Sequence, residues 1–168
     1  MGWLKWLVGI PLALAVLALV AGQLGFLSGK PPGDLGVRDG KLKRPSNTPN
    51  SVSSQARSWP GDEAQAAYIE PLVLPKGLDG AQTIARLRTI VEGMPGARVV
   101  EARGDYLYAQ FTTKLMKYVD DAEFWFDPAA GVVQVRSASR VGRKDFGVNR
   151  SRVEAVRSAL NTGSVGTG

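Results

Sequence analysis

Cysteine and histidine are both absent from the 168 residues. Without cysteine there is no disulfide framework, no thiolate nucleophile, no sulfur-ligated zinc or iron–sulfur cluster, and no lipidated cysteine of a lipoprotein. Without histidine the Ser-His-Asp and Cys-His arrangements, the imidazole metal ligand and the usual general base near neutral pH are excluded as well. Catalysis would have to run on carboxylates, lysine, tyrosine or a hydroxyl, and a protein-bound metal would be a hard ion on oxygen ligands. The formal charge of +6 and a pI near 9.8 favour anionic partners. Neither an aromatic-rich basic motif of the RNA-recognition kind nor a zinc-finger spacing is present, so nucleic acid is not an expected partner.

What is present begins with a long apolar run. Residues 6–27 (WLVGIPLALAVLALVAGQLGFL) carry no charge and are bounded by Lys5 and Lys30. At 1.5 Å per residue such a helix spans about 30 Å, the thickness of a bilayer core. Trp3 and Trp6 stand where an interfacial aromatic belt would lie, and Pro11 is close to the helix start. The competing reading is a cleaved signal peptide, but its apolar core is shorter, and cleavage after Ala21 or Gly22 would put Leu19 or Val20 where a small residue is needed. A retained single-pass anchor is therefore favoured, with residues 1–5 as a short leader. The positive-inside rule, applied to Lys30, Arg38, Lys41, Lys43 and Arg44, argues for a cytoplasmic domain. A short leader with one lysine resembles a bacterial signal anchor, and the expectation is a domain on the periplasmic side of the bacterial inner membrane.

After the anchor, residues 29–61 are rich in Pro, Gly, Ser and Asn, and composition alone reads them as a linker. Residues 68–75 (YIEPLVLP) read as an edge strand or an extended packing segment. Residues 79–94 read as a helix, with Asp79 and Gln82 at capping-box spacing and Ile84, Leu87, Val91 and Met94 on one stripe. Four strand candidates follow at 97–103, 105–113, 119–127 and 132–140, joined by connections short enough for an antiparallel meander. Alternation puts Leu107, Ala109 and Phe111 on one face and Tyr106, Tyr108 and Gln110 on the other, and likewise sets Phe124 and Phe126 against Trp125. Val153, Val156 and Leu160 form the stripe of a last helix, capped by Ser151 with Glu154 or by Asn149. Residues 161–168 should fray. The expected architecture is α+β: a four- to five-stranded antiparallel sheet with two helices on one face, preceded by the transmembrane helix.

Charge is concentrated in the last two strands and the segment after them. Period-two alternation puts Asp121 and Glu123 on one face and Asp120 on the other, so at most two of the three converge without a bulge. Two carboxylates can make a general acid/base pair or half a magnesium or calcium site. The plainer reading is a brace, in which Arg136 and Arg140 on the returning strand pair with these carboxylates. Further on, Arg140, Arg143, Lys144, Arg150 and Arg152 crowd a loop and a helix start, and are the candidates for contact with an anionic lipid or protein partner. Leu115-Met116, flanked by Lys114 and Lys117, reads as core at a strand connection.

These same segments carry a resemblance. Asp34-Leu-Gly-Val, Pro49-Asn-Ser-Val-Ser-Ser54, Tyr118-Val-Asp-Asp-Ala-Glu-Phe124, Val135-Arg-Ser-Ala-Ser-Arg-Val-Gly142, Asp145-Phe-Gly-Val-Asn-Arg150 and Arg152-Val-Glu154 together resemble the domain-of-unknown-function family 1499 of bacterial envelopes and plastids. The likeness covers residues 31–160. It departs at Ser51, where the family often has cysteine, and at Arg143 and Lys144, where it often has an aromatic residue and a serine. The family brings no established activity and no cofactor. It does imply that residues 31–56 are an ordered arm packed on the domain, with Asn50, Ser53 and Ser54 hydrogen-bonded to the Arg/Asp cluster or to nearby backbone.

The expected organisation is thus leader (1–5), anchor (6–27), arm (28–60), α+β domain (61–160) and tail (161–168). The leading functional reading is a membrane-anchored binding or scaffolding domain without catalytic residues, bound metal or cofactor. The alternative is a magnesium- or calcium-dependent hydrolase or transferase using Asp120, Asp121 and Glu123.

Overall fold

The computed structural model describes residues 2–163. Met1 and residues 164–168, with most of the expected tail, lie outside the described residues. Helix α1 spans Gly2–Gln23 and carries Pro11 within it. Its window Trp6–Gln23 has a mean hydropathy of 2.0, and only 6 % of that window is buried. Large apolar side chains therefore point outward along its length, unlike those of a core helix. One such helix is compatible with either an anchor or a signal peptide.

The domain is built on six antiparallel strands: β1 (Ser51–Ser53), β2 (Leu72–Val73), β3 (Ala97–Ala102), β4 (Tyr106–Thr112), β5 (Val119–Asp127) and β6 (Val132–Ser139). The strand order is β1-β6-β5-β4-β3, with β2 also paired to β6. The meander β3 to β6 is the one expected from the short turns. The strand count exceeds the expected four to five because β1 and β2 share the outer edge of β6, β1 at 136–138 and β2 at 132–133.

Helix α3 (Gly80–Glu92) starts at the expected capping box. The Asp79 carboxylate accepts from the Gln82 N–H at 2.8 Å, and the Gln82 side-chain oxygen accepts from the Asp79 N–H at 3.0 Å. A Cβ at Gly80 would stand 2.2 Å from the Phe126 ring, so the first helical position has room only for glycine. Helix α4 (Val148–Thr162) departs from expectation. Ser151 lies inside it, and Glu154 pairs with Arg157 instead of closing a box. Its start is tied by Asp145, whose carboxylate accepts from the N–H groups of Gly147 and Asn149 at 3.0 and 2.9 Å. It also runs through Thr162, two residues into the segment expected to fray.

Alternation sorts the sheet into two chemically different faces. Leu107, Ala109, Phe111, Ala122, Phe124, Val133 and Val135 share one hydrophobic cluster with Ile84, Leu87, Ile90 and Val91 of α3 and Val153, Val156 and Leu160 of α4. The other face carries Tyr106, Tyr108 and Trp125, which cluster with Leu42, Leu35 and Val37. The second cover comes from residues 28–60, which composition reads as a linker. They run along the sheet instead, include a 3-10 turn (Ala56–Ser58) and lead into the short helix α2 (Asp62–Ala66).

Backbone groups hold this segment in place. The Gly36 N–H donates to Glu123 Oε1 at 2.7 Å, and the Leu42 N–H donates to Gln55 Oε1 at 2.8 Å. The Ser54 N–H donates to the Val135 carbonyl at 2.9 Å. In the connection between β4 and β5, Leu115 is exposed rather than core. It lies where α1 ends: Gln23 Nε2 donates to the Leu115 carbonyl at 2.7 Å, and a Cβ on Gly22 would be 2.8 Å from the Met116 carbonyl oxygen.

The pairing of β1 predicts slow amide exchange at Ser53 and Ser54, whose N–H groups donate to the Ala67 and Val135 carbonyls. Gly33 and Gly40 should exchange fast. Hydrogen–deuterium exchange resolved by residue checks this, and rapid exchange throughout 45–56 would contradict the packed arm.

Candidate functional site

The charged residues take their places from strand alternation. Glu123 stands opposite Arg136 in the β5/β6 register, Asp121 opposite Ala138, and Asp120 opposite Ser139. Asp121 and Glu123 therefore share the tyrosine face, while Asp120 points to the helix side. Each acid meets an arginine. Arg140 grips Asp121 with two bonds, Nε to Oδ2 at 2.8 Å and Nη2 to Oδ1 at 2.7 Å. Arg152 of α4 donates from Nη2 to Asp120 Oδ2 at 2.6 Å. Arg136 reaches Glu123 only weakly, at 3.4 Å from Nη1. All six side chains are nearly sealed from water.

The two tyrosines complete the acceptors. Tyr106 donates its hydroxyl to Glu123 at 2.9 Å, and Tyr108 donates to Asp121 at 2.6 Å. Burial, together with the neighbouring carboxylate, raises the pKa of both phenols. Glu123 is also pushed up by burial; Arg136, the Gly36 N–H and the Tyr106 hydroxyl pull it the other way without cancelling the shift. Arg140 is shifted up by its hydrogen bond to Asp121 and stays cationic.

On the opposite face Asn149 links three elements, although nothing of it is exposed. Its Oδ1 accepts from the Ser137 hydroxyl and from Arg152 Nη1, and its Nδ2 donates to the Asn50 carbonyl and to the Ser139 hydroxyl. The arm residues meet nearby groups. Asn50 Nδ2 donates to the Gly142 carbonyl, and the Ser54 hydroxyl accepts from the Val135 N–H and donates to Gln134. The Ser53 hydroxyl accepts from the Gln55 N–H. Ser51, at the family's cysteine position, accepts from the N–H and the hydroxyl of Ser46.

The five basic residues read as one corner are divided by the fold. Arg140 and Arg152 belong to the internal pairs, and Arg150 donates to the Ala66 and Tyr68 carbonyls. Arg143 and Lys144 are exposed and form no ion pair among the described residues. Cations gather elsewhere. A cavity of about 500 Å³ opens beside Arg136 and Arg140, walled on its arm side by Lys30, Lys43 and Arg44. No group of three acidic residues spaced for a cation occurs among the described residues.

A family model described as "Protein of unknown function (DUF1499)" matches residues 41–160, which include β5, β6 and the later part of the arm. The chain belongs to the DUF1499 family. No curated protein and no solved structure matches it. Family membership therefore supplies boundaries, and the chemistry of this DUF1499 domain has to be read from its own residues.

Sequence reasoning paired the strand acids with the strand arginines but missed Asn149 as a hub, Arg152 as the partner of Asp120, and both tyrosines as donors. Tyr106 and Tyr108 were legible in principle, since alternation already put them on the face of Asp121 and Glu123.

Two outcomes follow for this domain. Because Glu123 has a raised folded pKa, the folded state holds its proton more tightly than the unfolded chain. Its contribution to stability is full below the free value of 4.5 and is lost as pH rises from there through the folded pKa. Glu123→Gln removes that falling component, so urea unfolding at pH 5 and pH 8 should shift the difference between variant and wild type in the variant's favour at pH 8. An equal difference at both values would refute the assignment. Asn149→Ala removes the acceptor of the Ser137 hydroxyl, one acceptor of Arg152 and one donor to the Asn50 carbonyl, and should cost about 2–3 kcal/mol in the same assay; a cost under about 1 kcal/mol would rule out the hub.

Proposed function

We propose that the chain is a single-pass, membrane-anchored, non-catalytic binding module of the bacterial envelope, held in the inner membrane with its domain on the periplasmic side. The observation that carries this is the commitment of the three buried β5 carboxylates to guanidinium groups inside the fold. Asp120, Asp121 and Glu123 are the groups the hydrolase or transferase reading would use; each accepts from an arginine, and Asp121 and Glu123 accept from a tyrosine as well. The charged side chains around the adjacent cavity are cationic apart from the paired Asp121. That supports binding of an anionic partner over acid–base chemistry.

Anchoring rests on α1. Its apolar side chains have no cover from the rest of the chain, and its last turn touches the domain at Leu115 and Met116. Loss of a cleaved signal peptide would break these contacts. Retention keeps them.

Membrane fractionation with alkaline extraction tests the reading. The full chain, carrying a tag after Leu160, should stay in the pellet at its uncut size, and deletion of residues 2–27 should release it. A shortened, soluble product of the wild-type chain would overturn the anchor. A periplasm-dependent phosphatase fused after the domain should be active, and an inactive fusion would reverse the orientation.

A further inference from the structure

The cavity beside Arg136 lies between the arm and the last residues of β6, with Lys30, Lys43, Arg44, Arg136 and Arg140 around it and Asp121 as its acid. We propose that it is a binding site for a phosphate group, which names the ligand class of the binding module above and rests on that reading. Arg136 is the first ground. It is 4 % exposed, makes one long bond to Glu123 at 3.4 Å, and its Nε has no partner. A buried donor left without an acceptor costs roughly 1–3 kcal/mol, and buried donors of this kind are otherwise paired almost without exception. A guanidinium has five N–H donors, so most of the capacity of Arg136 is unused.

Charge is the second ground. Lys43 pairs with Asp34, Arg140 with Asp121, and Arg136 with Glu123. Lys30 and Arg44 have no acidic partner among the described residues, and Arg44 meets only the Pro60 carbonyl. Two uncompensated cations match a phosphate monoester, which carries about two negative charges near neutral pH. A tetrahedral group with several acceptor oxygens also suits donors that approach from the sheet and from the arm at once. A carboxylate, planar and singly charged, would leave part of that set unused.

Position is the third. Lys30 and Pro32 follow the end of α1 at Gln23 by only a few residues, and Gly29 packs against the Arg140 side chain. Under the anchored reading the cavity therefore stands close to the headgroup layer. The phosphate can come from a lipid headgroup or from a small phosphorylated solute, and both present the same chemistry.

The full chain in maltoside micelles, which contain no phosphate, allows the sources to be separated. In one arm, inorganic phosphate is titrated at constant ionic strength and thermal unfolding is followed. In the other, phosphatidic acid, whose headgroup is a phosphate monoester, or an uncharged galactolipid is added and bound lipid is scored by native mass spectrometry. Expected is a rise in Tm with inorganic phosphate, or retention of phosphatidic acid over galactolipid, weakened roughly tenfold or more in Lys30→Gln/Arg44→Gln. A response to inorganic phosphate identifies a soluble phosphoryl ligand as sufficient; retention of phosphatidic acid alone identifies the headgroup. No response to either probe, or an equal response in the variant, overturns the site. Both substituted side chains are exposed, so the variant should unfold at the wild-type temperature without ligand; Lys30→Gln alone serves if it does not. Alkaline extraction of the same preparations scores anchoring separately, so a failed site and a failed anchor give different results.

Discussion

Three carboxylates leave water on β5, and the structure depends on how they are compensated. A buried carboxylate without a partner would protonate or destabilise the sheet by several kcal/mol. Compensation comes from three directions: Arg136 on β6 with Arg140 just past its end, Arg152 from α4, and the tyrosines of β4. Each pair thus ties β5 to something other than itself. Asp121 holds β6 and β4 through Arg140 and Tyr108, while Asp120 holds α4 through Arg152, whose guanidinium also lies 4.4 Å over the Phe111 ring. The ion pairs add little net stability by themselves, but they make alternative registers of β5 expensive, because a one-residue slip would send Asp120 to the tyrosine face and Glu123 into the apolar cluster.

The same pairs explain why the arm is ordered. Glu123 still has an acceptor to satisfy after Arg136 and Tyr106, and the Gly36 N–H does so from above. Leu42, with 1 % of its surface exposed, then closes over Tyr106, Tyr108 and Trp125. Asn50 extends the connection, because its carbonyl accepts from Asn149 and from the Ser139 N–H. A polar, proline-rich stretch gains order here by supplying what the sheet lacks on one face and along one edge, without forming a core of its own.

That is also where the sequence was hardest to read. The meander, the two faces of β4 and β5, the Asp79 capping box and the separation of Asp120 from Asp121 all follow from local periodicity and turn chemistry, so they were legible. The three-residue strand Ser51–Ser53 was not, since it is too short to show a period and exists because β6 offers an edge; the strand Leu72–Val73 falls within residues 68–75, which read as an edge strand or an extended packing segment. The start of α4 misled for a related reason. Ser151 and Glu154 have capping-box spacing, but Gly147 in the left-handed region turns the chain earlier and Asp145 takes the exposed N–H groups. In the site, like-for-like strand pairing was visible and long-range partners such as Arg152 and Asn149 were not, because their distance in sequence carries no pattern.

A free segment of roughly 27 residues would let a domain wander about 90 Å from its attachment point. Here the stretch between α1 and β1 is sewn to the sheet at Gly36, Leu42 and Asn50, and the last turn of α1 abuts Met116 with no side chain at Gly22 to intervene. The chain has thereby exchanged a leash for a collar. Any rotation of α1 is felt at the turn between β4 and β5.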